Sequence, residues 1–212
     1  ENLKDESFQL ELEELNPDLQ IIVAFRMLPA SVWQLPKFGT FNLHGSLLPN
    51  YRGAAPINWA VMNGEKETGV TTFFLEHEID TGEIIDFAKV EIGSNETAGE
   101  LHDKLMSIGA DLVVKTTRKI MNGSVSTQKQ DDILQGQKPK LAYKIFKDTC
   151  RINWQDEVDH VYNHIRGLSP YPAAFSNLQF LDGKEMGLKI FKAEKSDQKL
   201  SPGVIKTDGK TV

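Results

Sequence analysis

Asn42 and His44 stand two residues apart in the run Asn42-Leu43-His44-Gly45-Ser46-Leu47-Leu48-Pro49-Asn50-Tyr51-Arg52-Gly53-Ala54-Ala55-Pro56. Side chains two apart on a strand leave from the same face, so an amide and an imidazole are aimed together at one point while Phe41 and Leu43 turn away. Two such donors suit a reaction that builds negative charge on oxygen. A carboxylate that keeps the imidazole charged and helps remove a proton completes the set for acyl transfer to an amine. Asp80, in the polar stretch Glu76-His77-Glu78-Ile79-Asp80-Thr81-Gly82, is the candidate. These roles need no metal. The apolar pair Leu47-Leu48, pinned by Pro49, offers a wall for a flat ligand.

The elements that must position these residues follow from periodicity and punctuation. Phe8, Leu12 and Leu15 have helical spacing up to Asn16-Pro17, and Leu19 to Phe25 reads as a buried strand. Pro29 opens a short helix through Ser31, Val32 and Trp33, residues 36–39 turn, and Thr40 to His44 is the next strand. The result is a βαβ crossover in an α/β domain, with its chemistry at a strand's C-terminal end, where open α/β sheets place ligands. Pro56 begins a helix through Met62 that leaves through Asn63-Gly64. Gly69 to Leu75 and Glu83 to Ile92 are β-rich runs joined by the Asp80 loop, which is too long for a tight hairpin. Thr97 and Glu100 form a capping-box signal, and Leu101, Leu105, Ile108 and Leu112 make the apolar stripe of a long helix that ends near Asn122-Gly123.

Residues 128–143 turn polar and lose periodicity, as a linker does, which places a domain boundary near residue 140. The spacing of Val158, Val161, Ile165 and Leu168 predicts a further helix. Strand signals follow at Gly187 to Ala193 and Gly203 to Lys206, with a turn at Asp208-Gly209.

The chain has 212 residues, 40% of them hydrophobic and 25% charged, enough for one large domain with a small second one. No apolar run is long enough to span a bilayer, Glu1-Asn2-Leu3-Lys4 lacks secretory character, and the lone Cys150 cannot form an internal disulfide; a cytoplasmic setting is expected. Residues 1–100 carry 17 acidic against 6 basic side chains, whereas residues 101–212 carry 13 against 18. The basic half suits a polyanion, or simply a solvated strand surface. His160 and His164 have metal-ligand spacing on a helix, but no cysteine or HExxH partner accompanies them, so no metal is expected. His77 reads as a solvent-exposed loop residue, Trp33, Trp59 and Trp154 as packing residues, and Cys150 as a packing or surface residue. Glycine-rich and Walker-type phosphate loops are absent from these residues.

Asn42 to Pro49, with Tyr51-Arg52-Gly53-Ala54-Ala55-Pro56-Ile57-Asn58-Trp59, Gly69-Val70-Thr71 and Asp80-Thr81-Gly82, resembles the 10-formyltetrahydrofolate-dependent formyltransferases. Ala54-Ala55-Pro56 favours the branch that acts on charged initiator methionyl-tRNA. The resemblance implies that Asn42, His44 and Asp80 are catalytic and that Ser46, Leu47, Leu48 and Pro49 contact the folate. It further implies a Rossmann-like domain with a mostly parallel sheet over residues 1–140. A small β-barrel of OB-like type, which helps hold the tRNA, would begin at residue 141 and run to 212. It implies 10-formyltetrahydrofolate as formyl donor, initiator methionyl-tRNA as partner, no membrane, no metal and a monomer. Related acceptors, an aminosugar nucleotide or glycinamide ribonucleotide, share much of the motif, and a noncatalytic folate- or RNA-binding module would share the fold. The family's opening strand has no counterpart before Glu1, and its C-terminal domain is expected to run beyond Val212.

Overall fold

Fifteen regular elements, one of them a single 3-10 turn (Asp148–Cys150), run through the computed structural model, which describes residues 3–23, 27–198 and 200–206. Helix α1 (Glu6–Glu14) carries no fully buried side chain and leads into β1 (Gln20–Val23). Ala24 and Phe25, expected to continue that strand, lie outside the described residues. A short α2 (Ala30–Trp33) follows Pro29, and the Thr40 hydroxyl donates to the Trp33 carbonyl at 2.7 Å, tying the end of α2 to the start of β2 (Thr40–His44). β1 and β2 pair in parallel through this crossover, with Ile22 opposite Asn42.

From His44 the chain loops through β3 (Arg52–Gly53) to α3 (Pro56–Met62), then enters β4 (Glu67–Phe74) and β5 (Ile84–Glu91). The four-stranded sheet has the order β1-β2-β4-β5. Its α/β, Rossmann-like character is carried by the parallel β1–β2 unit, whereas β2–β4 and β4–β5 are antiparallel, so this part of the sheet is mixed. The reason is the length of α3. Seven residues rise only about 10 Å, too little to return the chain to the start of β2, so β4 re-enters beside the end where β2 left, with His44 opposite Thr71.

Helix α4 (Ala98–Met121) starts in the expected capping box, Thr97 and Glu100 each bonding the other's backbone N–H. Leu101, Leu105 and Leu112 pack with Val70 and Ile92, and Ile120 packs with Phe41 and Ile85, so α4 covers one sheet face. That contact is close: a Cβ on Gly109 would lie 2.8 Å from Leu43. The other face, with Leu48, Phe73 and Ile84, carries the loops.

The polar stretch 128–143 is more than a connection. It contains α5 (Gln130–Leu134) and β6 (Leu141–Ala142), and β6 pairs in parallel with β3. Helix α6 (Val158–Leu168) then packs on α3 so tightly that a Cβ on Gly167 would fall 2.5 Å from Met62. β7 (Ala174–Gln179), which the sequence pattern does not announce, pairs with β8 (Glu185–Ile190) as an antiparallel ribbon. Gly203 to Lys206, expected as a strand, is irregular and exposed; no described strand lies beside it to take its hydrogen bonds. Asp208-Gly209 lies outside the described residues.

Candidate active site

β2 delivers Asn42 and His44 to the loop-bearing face of the sheet, because Phe41 and Leu43 are held against α4 on the other. Among the described residues the Asn42 carboxamide has no hydrogen-bond partner. The His44 ring is 7% exposed, and Phe73 meets it edge to face. Its Nε2 lies 2.8 Å from the Tyr51 carbonyl. A carbonyl can only accept, so Nε2 carries the proton, and Nδ1 is the ring nitrogen that faces Asp80. The Asp80 Oδ2 stands 3.7 Å from that Nδ1, beyond hydrogen-bond length but within reach of charge pairing.

Asp80 itself sits at φ +57°, a conformation that side chains seldom adopt. Its neighbours explain how it is held. The Thr81 hydroxyl donates to the Glu78 carbonyl, and Gly82 lies so close to the Phe74 carbonyl that any side chain there would collide. The Gly53 N–H donates to Asp80 Oδ2 at 2.8 Å. Gln130 Nε2 donates to the carbonyls of Asp80 and Gly82, while its Oε1 accepts two N–H groups of Arg52.

Tyr51 is pinned from every side. Its backbone takes φ +62°, its N–H donates to the Lys140 carbonyl, and its hydroxyl donates to Glu65 and accepts from Asn63. Burial, reinforced by the Glu65 carboxylate, pushes the Tyr51 phenol well above its ordinary pKa. Glu65 is held below the ordinary carboxylate range: its burial acts upward, and the bonds from Lys140 and Tyr51 outweigh it. The carbonyl that fixes His44 is therefore fixed by residues around 140.

The four residues expected against a folate occupy unequal positions. Ser46 is fully buried, and its hydroxyl donates to the Asn50 carbonyl inside the turn. Leu48 and Pro49 are buried as well, joined by a cis peptide bond. Leu47 is half-buried against Gly69, where a Cβ would lie 2.6 Å from it. Thr71 stitches the turn, donating to the Ser46 carbonyl at 2.7 Å and accepting from the Leu48 N–H at 3.1 Å. The Ser46 side chain thus shapes the turn from within.

Sequence reasoning left Thr71, Tyr51, Arg52 and Gln130 without roles. Tyr51 and Arg52 stand inside a conspicuous motif; Gln130 has no local signal at all. Elsewhere, His77 is exposed and meets the Trp33 edge, and no cluster of three metal-ligating side chains occurs among the described residues. His164 lies with its Nε2 buried and unpartnered, and burial lowers its pKa. Cys150 is buried and its thiol is pushed up by desolvation, in keeping with a packing role. The indoles of Trp59 and Trp154 donate to the Tyr143 carbonyl and the Ser176 hydroxyl. No helix of the described residues is long and apolar enough to cross a membrane.

A methionyl-tRNA formyltransferase of Bacteroides fragilis is 54% identical over 212 residues, covering 99% of this chain; the chain spans 65% of that relative's length. The crystal structure of HypX from Aquifex aeolicus in complex with tetrahydrofolic acid superposes with TM-score 0.72 at 24% identity, over 94% of this chain and 34% of that one. A 4-N formyltransferase from Francisella tularensis gives TM-score 0.72 at 20% identity, over 92% and 78% of the two chains. At such identities these two speak for the fold alone. Residues 144–212 match the formyl transferase C-terminal domain. Residues 1–117, more than half of the sequence and the part that holds Asn42, His44 and Asp80, match formyl transferase, and the chain belongs to that family.

Proposed function

We propose that the protein carrying this chain is a methionyl-tRNA formyltransferase, which moves the formyl group of 10-formyltetrahydrofolate onto the α-amino group of charged initiator methionyl-tRNA. The observation that carries this reading is the 54% identity to the Bacteroides fragilis methionyl-tRNA formyltransferase across 99% of the chain. The site supplies the chemistry. The amine attacks the formyl carbon and the carbonyl electrons move to oxygen, where the Asn42 Nδ2–H and the His44 Nδ1–H donate hydrogen bonds. Because Nε2 keeps its proton on Tyr51, Nδ1 can donate only from the imidazolium, and Asp80 is its counter-charge. Asp80 Oδ2 is held by the Gly53 N–H, which leaves Oδ1 to take a proton from the attacking nitrogen. Collapse then breaks the bond between the formyl carbon and N10, and N10 leaves with the proton that Asp80 Oδ1 took from the amine.

In this reading the backbone of Ser46 to Pro49 and the Leu47 side chain face the folate. Residues 1–140 form the catalytic part, and residues 141–212 belong to a tRNA-holding part of a monomeric cytoplasmic enzyme that needs no metal. The test is transfer of labelled formyl from 10-formyltetrahydrofolate by the full-length protein, offered charged initiator tRNA, an aminosugar nucleotide and glycinamide ribonucleotide in parallel. Label on methionyl-tRNA alone is expected. Label on a small acceptor would overturn the tRNA assignment, and no transfer despite folate binding would overturn the enzyme.

A further inference from the structure

Gln130 opens α5, outside every conspicuous motif and beyond the residues that match the catalytic family, yet it is 3% exposed. All four hydrogen-bonding valences of its carboxamide are used. Nε2 donates to the Asp80 carbonyl at 2.9 Å and the Gly82 carbonyl at 2.8 Å; Oε1 accepts from Arg52 Nε at 2.9 Å and Nη2 at 2.7 Å. That is the full capacity of a primary amide, and turning it over would set oxygen against two carbonyls and nitrogen against a guanidinium. Gln130 therefore has one orientation.

Its partners lie on both sides of the Asp80 carboxylate. The two carbonyls belong to the turn that carries Asp80 in a left-handed conformation. Arg52 precedes Gly53, whose N–H holds Asp80 Oδ2, and follows Tyr51, whose carbonyl holds His44. One side chain thus sets the distance between the turn that bears the carboxylate and the strand that grips both members of the pair. We infer that Gln130 is a positioning residue for formyl transfer, clamping the 80–82 turn to Arg52 so that the Asp80 carboxylate is presented to His44 and the acceptor amine. The inference rests on the role given to Asp80 in the proposed function.

Gln130→Glu keeps the size and the Arg52 contact but replaces two donors with an anionic oxygen facing two carbonyls. Gln130→Met keeps the length and removes both sets of bonds. A shift of the carboxylate by about 1 Å costs about 100-fold in the chemical step. The experiment measures kcat, KM and folate-binding stoichiometry of the full-length protein, wild type and variants, together with Asp80→Asn and the Gln130→Glu, Asp80→Asn double variant. The expected result is kcat lower by about 100-fold, with folate KM within about twofold. In the Asp80→Asn background the Gln130 substitution should cost less than about threefold, because the group it positions is already gone. Losses that multiply in the double variant, unchanged kcat, or loss of folate binding in both single variants would overturn the inference. A wild-type protein that formylates no acceptor would instead remove the reading beneath it, an outcome distinct from an active wild type with multiplying losses.

Discussion

Gly53→Ala tests whether the β3–β6 contact sets the site. Gly53 has φ +122°, and a Cβ built there would lie 2.4 Å from the Ala142 carbonyl oxygen and 3.0 Å from its carbon. Holding an ordinary residue in such a conformation costs roughly 1–3 kcal/mol. Relieving the overlap needs a separation near 3.5 Å, a movement of about 1 Å between β3 and β6. That movement pulls the Gly53 N–H from Asp80 Oδ2, now 2.8 Å away, and the Ala54 N–H from the Ala142 carbonyl, now 2.7 Å away. A bond to a charged group is worth about 1.5–3 kcal/mol net. Strain plus that single bond gives about 3 kcal/mol or more, which lowers the melting temperature of a chain this size by roughly 6–12 °C. Misplacing Asp80 by about 1 Å should also cut single-turnover formyl transfer about 100-fold. Gly136→Ala is the control. It also has positive φ, +82°, but its Cβ would meet nothing within 4 Å. It should cost only about 1–2 kcal/mol and leave turnover intact. Scanning calorimetry and rapid-quench assays read both quantities, and a Gly53→Ala protein with the stability and turnover of Gly136→Ala would refute the reasoning.

Asn42→Ala removes a carboxamide that has no other hydrogen-bond partner among the described residues, so kcat should fall about 100- to 1000-fold with folate affinity nearly unchanged; steady-state kinetics and folate titration decide it. Thr71→Val should destabilise by about 1–3 kcal/mol in denaturant titration and raise the folate KM, since it strands the Leu48 N–H and the Ser46 carbonyl inside the turn. His164 is held neutral by burial, with folded pKa below its ordinary value near 6.5. The unfolded chain binds the proton first, so stability should fall as pH drops from about 6.5 toward that lowered value and then level off. Unfolding of His164→Leu across the same pH range should lack this limb.

That Asn42 and His44 share a face was legible because period-2 spacing suffices to put them there, and the place of Asp80 in a loop between two strands was legible from the polar run around it. The capping box at Thr97, the α3 exit at Gly64 and the extent of β2 were legible for the same reason: each depends on residues within a few positions of one another. Strand direction was not. Alternation says which face a residue takes, but not whether the neighbouring strand runs with it or against it, and the mixed sheet follows from how far a seven-residue helix can carry the chain.

The linker reading shows the deeper limit. Residues 128–143 lack apolar periodicity because their contribution is made through hydrogen bonds: Gln130 to the Asp80 and Gly82 carbonyls, the Lys140 carbonyl to Tyr51, the Ala142 carbonyl to Ala54. No residue type advertises a bond that a partner's backbone supplies. The need for such a partner was nevertheless implicit at Asp80. A carboxylate held at φ +57° beside Gly82, which has no room for a side chain, exposes carbonyls that the turn cannot satisfy by itself. Donors had to come from elsewhere, and a side chain with two of them can bridge Asp80 and Gly82 at once. The polarity that made the stretch look like a connection is the property that lets it hold the Asp80 turn.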